Sequence, residues 1–238
     1  MRRNRGIGMD WLRIRSLSAK LAIALIAGST VWFLTRSDLL VLVPGLVLER
    51  GAVWELFTYA FVASDPLGVI FGALVVWSIG SSLEATWGPK RLLWVVLGCT
   101  VLSAVLTVLT AIPVSSLRGL PFFGAWVMAS VLWVGYGLSF GRRQTNFWGI
   151  PVTGNVFALI GLGFVLLQAA ARQDVKPVLH ELFGIALVVG YLKLDSPKTW
   201  LLRFQSWRFQ RQFRSRSKHL RVIGKDRNTS RDSDRYLH

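Results

Sequence analysis

Residues 67–112 read LGVIFGALVVWSIGSSLEATWGPKRLLWVVLGCTVLSAVLTVLTAI, two apolar runs (67–83 and 92–112) flanking a short joint that carries Glu84, Lys90 and Arg91. The hydrocarbon core of a bilayer holds no water to satisfy an open backbone, so what crosses it is a helix of about 17 to 25 apolar residues. Both runs meet that length, as does 121–140. Residues 19–34 and 155–171 are at its short end, and 178–194 carries His180, Glu181 and Lys193 near its ends. The expectation is an all-α membrane protein of six spans. Residues 54–63, half apolar and too short to cross, read as an interfacial segment.

Composition agrees with this. The chain is 53% hydrophobic and 17% charged, against about 25% charged in soluble domains. The organisation expected is a basic N-terminal segment (1–18), one membrane domain (19–195) and a basic tail (196–238). The basic start followed by an apolar run imitates a secretory signal, but no small-residue cleavage site follows and further spans do, so it reads as a retained first helix. The single cysteine, Cys99, lies within an apolar run and reads as a small buried hydrophobe. One cysteine supports neither a disulfide framework nor a CxxC site, and neither a metal nor a cofactor is expected. No internal repeat supports an inverted-repeat transporter.

Orientation follows from Lys and Arg, which stay on the cytoplasmic side. With six crossings and both termini inside, 23 of the 28 basic residues fall inside, leaving Arg36, Arg50, Arg118, Arg172 and Lys176 outside. Trp11, Trp54, Trp87, Trp148 and Trp200 fall at span ends, where amphipathic rings favour the headgroup layer. The net charge of +16 is thereby explained without nucleic acid, which is not an expected partner. In the tail, Trp200, Leu201, Phe204 and Trp207 share one helical face, and Arg203, Arg208, Arg211 and Arg214 lie largely elsewhere. That pattern suits an interfacial helix held by anionic lipid at about 1 kcal/mol per basic residue; the alternative is a solvated tail, disordered beyond 223.

Residues 53–88, VWELFTYAFVASDPLGVIFGALVVWSIGSSLEATWG, keep Trp54, Thr58, Tyr59, Phe61, Gly80, Glu84, Trp87 and Gly88 in one ungapped register. This stretch closely resembles the opening of the rhomboid domain, a six-helix intramembrane serine protease fold. The resemblance covers roughly 17–195 and implies a helix 4 serine within GxSG, a helix 6 histidine, and a His and an Asn on helix 2 that help hold the oxyanion. A serine hydroxyl needs a nearby base to attack, and each oxyanion donor is worth about a hundredfold or more.

The residues that would carry this chemistry are absent. At the family's spacing the two helix 2 histidines are Ala63 and Gly68, the Asn is Gly72, and the nucleophile is Trp126. An indole cannot attack a peptide carbonyl. His180 falls about where the family's histidine stands, although Phe183 and Leu187 replace the small residues that follow it. Read from its neighbours alone, His180 is a wet loop histidine beside Lys176 and Glu181. Ser130 is four residues beyond Trp126, about 6 Å deeper at 1.5 Å per residue, and as a small packing residue needs no further role. Ser139, in GLSFG, imitates a nucleophile elbow, but that motif needs a strand-turn-helix context. Gly68 and Gly72 form GxxxG, a close-packing pattern. Trp126 is expected to fill the space over both glycines, since a core does not keep a void.

The resemblance thus implies a scaffold that binds transmembrane segments of client proteins without cutting them. One alternative is an active intramembrane serine protease using a displaced Ser130–His180 pair. Another is a small-solute or lipid-handling protein on the same fold, although the apolar cores of helices 3, 4 and 5 lack the charges that mark such paths. A compact six-helix chain without an appended soluble domain points to a bacterial plasma membrane.

Overall fold

The computed structural model describes residues 16–141, 144–147 and 150–193. Its helices are α1 (Leu17–Thr35), α2 (Pro44–Arg50), α3 (Glu55–Thr58), α4 (Pro66–Trp87), α5 (Pro89–Ala111), α6 (Ala125–Phe140), α7 (Gly154–Arg172) and α8 (Leu179–Lys193). Of these, α1, α4, α5 and α7 are long and apolar enough to cross a membrane. α6, with 16 residues, is apolar but shorter, and α8 has 15. Trp11, Trp148, Trp200 and the tail's amphipathic pattern lie outside the described residues.

Local chemistry sets the helix ends. Asp65 caps α4 by accepting the Gly68 N–H at 2.7 Å, and Pro66 at the first position loses no bond there. One residue, Gly88, separates α4 from α5. Its φ of +82° is open to glycine and strained for other residues, and Pro89 starts the next helix at once. The Trp87-Gly88 motif is therefore a one-residue helix break.

Glu84 explains another motif position. Its carboxylate accepts the backbone N–H groups of Leu17 and Ser18, each at 2.9 Å, and the Ser18 hydroxyl at 2.7 Å. These belong to the first turn of α1, whose N–H groups have no partner within their own helix. One turn away along α4, Gly80 lets Ser18 approach; a Cβ there would lie 3.1 Å from the Ser18 hydroxyl oxygen.

α6 is the central helix. It packs against α4, α5, α7 and α8 and is buried on nearly every face, as expected for a helix apolar all round. It begins at Ala125, four residues later than the run 121–140 suggests. The cause is long-range pairing: Leu42 and Phe122 exchange backbone hydrogen bonds at 3.2 and 2.9 Å, and Gly124 N–H donates to the Tyr59 carbonyl at 2.9 Å.

Two expectations need correction. Segment 54–63 is not simply interfacial: Trp54 and Phe57 are exposed, but Tyr59 and Ala60 are fully buried. The Tyr59 hydroxyl bonds the Thr100 carbonyl and the Ser103 hydroxyl of α5, so the ring is buried without losing its polar partner. The fold is also not purely helical. β1 (Gln144–Phe147) and β2 (Ile150–Thr153) pair antiparallel between α6 and α7, where β-branched residues suit a strand.

Replacing Glu84 with Ala leaves the first N–H groups of α1 unpaired, at an expected cost of about 2 kcal/mol. Glu84→Gln, which keeps one acceptor oxygen, is expected to lose about half as much in chemical unfolding of the detergent-solubilised protein.

Candidate functional site

The positions that would hold rhomboid chemistry meet at the ends of α4, α6 and α8 that lie away from Gly88. Ala63 is fully buried, and its N–H donates to the Ser29 hydroxyl at 3.0 Å. Gly68 is buried in the first turn of α4. A Cβ on it would lie 3.1 Å from the indole nitrogen of Trp126, 3.2 Å from Asp65 Oδ2 and 3.4 Å from the Ala63 Cβ. Trp126 therefore covers Gly68 as expected, half-buried and stacked on Phe71 at 5.4 Å between ring centres.

Gly72 is not under Trp126. The nearest atoms to a Cβ there are Leu25 Cδ1 at 3.6 Å and Ala125 Cβ at 3.7 Å. The expectation that one indole spans both glycines is corrected: α1 and the first residue of α6 close over Gly72.

His180 is not a wet loop residue. It is the second residue of α8, 4% exposed, with its ring edge-on to Phe122 at 5.1 Å. Its Nε2 lies 2.9 Å from the Phe123 carbonyl. A carbonyl only accepts, so Nε2 carries the proton. Nδ1 is buried without a hydrogen-bond partner.

The Ser130–His180 pair is not formed. Ser130 Oγ lies 3.5 Å from Glu181 Oε2, a long hydrogen bond, while His180 Nε2 bonds the Phe123 carbonyl. A carboxylate beside a serine supplies no imidazole base. Ser139, at the far end of α6, donates to the Gly135 carbonyl at 2.7 Å, an ordinary intrahelical bond. Glu181, 2% exposed, is the residue the motif reading missed. It shares a buried stripe with Gly184, Ile185 and Val188, and a carboxylate in an apolar stripe is the signal that marks it.

Beside this cluster runs a lateral groove between α4 and α7, floored by α6. Its volume is about 540 Å³, and Ile70, Phe71, Trp126, Ser130, Trp133 and Phe164 are among its lining residues. Phe71 stacks on both Trp126 and Trp133, and Trp133 stacks on Phe157 at 4.6 Å. The floor is thus a row of aromatic faces with one hydroxyl, Ser130. Among the described residues no group of three or more His, Cys, Asp or Glu comes together as a metal site.

The model of a family described as eukaryotic integral membrane protein (DUF1751) matches residues 19–125. The match runs from α1 to the first residue of α6, and four helices are of membrane length and apolarity. The chain is a multi-pass integral membrane protein. Ala63, Gly68 and Gly72 fall inside the match; Trp126, Ser130 and His180 lie beyond it. Because the family is described as eukaryotic, the expectation of a bacterial plasma membrane gains no support from it. No curated protein matches the chain.

A side chain at position 68 has to displace the indole. Gly68→Leu is expected to destabilise the protein by about 2 kcal/mol. In a Trp126→Ala background the same change should cost at least about 1 kcal/mol less, a coupling measurable by a double-mutant cycle.

Proposed function

We propose that the chain is a rhomboid-like, non-proteolytic protein of six spans that binds transmembrane segments of client proteins in the groove between α4 and α7. The groove carries this reading. It is open laterally, is lined almost entirely by apolar and aromatic side chains, and lies beside the cluster where Ala63, Gly68 and Trp126 replace a catalytic centre.

Several observations support the scaffold. Tyr59, Gly80, Glu84 and Gly88, all in the resembling segment, have structural work independent of any catalysis. The matched family is grouped with rhomboid-like families. The concentration of Lys and Arg on one side supports both termini being cytoplasmic, with the basic tail on anionic lipid. A retained interaction without cleavage would alter a client's stability, its trafficking or its exposure to other proteases.

The absence of chemistry has equally local support. Position 126 is an indole, Ser130 faces Glu181, and the proton on His180 Nε2 is committed to a backbone carbonyl.

Photocrosslinking tests the groove. A photoreactive residue at Phe164, which lines it, is expected to capture transmembrane proteins in cells, whereas one at Leu159, exposed on the same helix and outside the groove lining, is not. Equal capture at both positions, or lipid alone at both, would contradict the proposal. The purified protein should also leave a transmembrane reporter intact; cleavage that Ser130→Ala or His180→Ala abolished would restore the protease reading.

A further inference from the structure

A second groove lies between α5 and α8, away from the cluster around Trp126. It encloses about 770 Å³ and is lined by Leu93, Trp94, Leu97, Gly98, Leu102 and Tyr191, among others. Along α5 it runs from residue 93 to residue 102, about 14 Å at 1.5 Å per residue. That is close to half of a hydrocarbon core about 30 Å thick, or one leaflet. Phe57 stands among its lining residues. Gly98 lines the groove, and a Cβ there would find nothing within 4 Å.

The Gly88 end of this groove is basic. Arg91 donates from Nε to the Tyr191 hydroxyl at 3.2 Å. Its guanidinium carbon sits 5.2 Å from the centre of the Trp87 ring and 5.6 Å from that of Tyr191. The residue is thereby held at the groove's end, exposed, with four further guanidinium N–H donors available. Lys90 adjoins it in sequence and Lys193 follows Tyr191 by two residues; both are exposed. Planar donors on a fixed arginine match phosphate oxygens in pairs, and basic residues at the membrane surface attract anionic lipid.

We propose that the α5–α8 groove is a binding site for an anionic phospholipid, one acyl chain lying along Leu93 to Leu102 and the phosphate resting on Arg91. Charge complementarity selects this occupant: the groove wall is apolar for the depth of a leaflet, and the cations gather at one end. The residues named for this site all precede the basic tail in sequence, and the site does not rest on client binding in the other groove.

The test uses the full chain in detergent, titrated with palmitoyl-oleoyl phosphatidylglycerol or with the matching phosphatidylcholine and read by native mass spectrometry. Wild type is expected to retain one phosphatidylglycerol in preference to phosphatidylcholine. Arg91→Gln should weaken its retention about fivefold, the equivalent of one basic contact, and Arg91→Lys should recover most of it. Gly98→Leu, which fills the floor without meeting another atom at its Cβ, should abolish retention with unchanged thermal unfolding. Leu102→Trp is a second groove-filling variant for the same comparison. Phosphatidylglycerol retained equally by wild type, Arg91→Gln and both filling variants would assign the lipid to the tail or to unspecific surface and overturn the site. Equal retention of the two lipids by wild type would do the same.

Discussion

A helix that begins in or near a bilayer exposes its first N–H groups where little water can reach them, and the organisation of this bundle depends on how that constraint is met for α1. Glu84 projects from α4 and takes the N–H groups of Leu17 and Ser18 together with the Ser18 hydroxyl. Gly80, one turn away, removes the Cβ that would hold the helices apart. With α1 fixed along α4 in this way, Leu25 reaches Gly72 and shares that contact with Ala125 of α6. The clasp at one end of α4 is thus linked through small residues to the packing at its other end, where the candidate site lies.

Rhomboid chemistry, as the resemblance implies, needs side chains on helix 2 facing a small serine. Here position 63, just before α4, is alanine, position 68 in its first turn is glycine, and the large residue, Trp126, stands on α6. Bulk at the two positions competes for one space, because a side chain at position 68 would press on the indole of Trp126. His180 and Glu181 are buried beside this packing, one bonded to a backbone carbonyl and the other to Ser130. Their hydrogen bonds tie α8 to α6 and to the strand-like segment before it. They do not assemble a nucleophile with its base.

Much of the fold was legible because a membrane enforces length on any helix that crosses it. The six apolar runs coincide with helices α1, α4, α5, α6, α7 and α8 to within about four residues at each end, and four of these, α1, α4, α5 and α7, are long and apolar enough to cross. The late start of α6 was set by backbone pairing between Leu42 and Phe122, eighty residues apart and invisible to local periodicity. The hairpin of β1 and β2 was hidden in a short joint between two spans. In the site, the cover over Gly68 was readable from the loss of side chains opposite a tryptophan. The separate cover over Gly72 was not, since it depends on one residue's rotation of α6, which presents Ala125 there and Trp126 a turn away. His180 looked wet because its sequence neighbours are polar; its burial comes from Phe122, a distant segment.

If packing has replaced the catalytic centre, water should not reach the hydroxyl nearest to it. The direct measurement is thiol labelling of Ser130→Cys in a background where Cys99, the only native cysteine, is changed to Ala. A membrane-impermeant maleimide should leave Cys at position 130 unmodified in intact membranes, and labelling should appear once Trp126→Ala opens the cover. Rapid labelling with Trp126 in place would show an aqueous centre beneath it and contradict a plugged, non-proteolytic site.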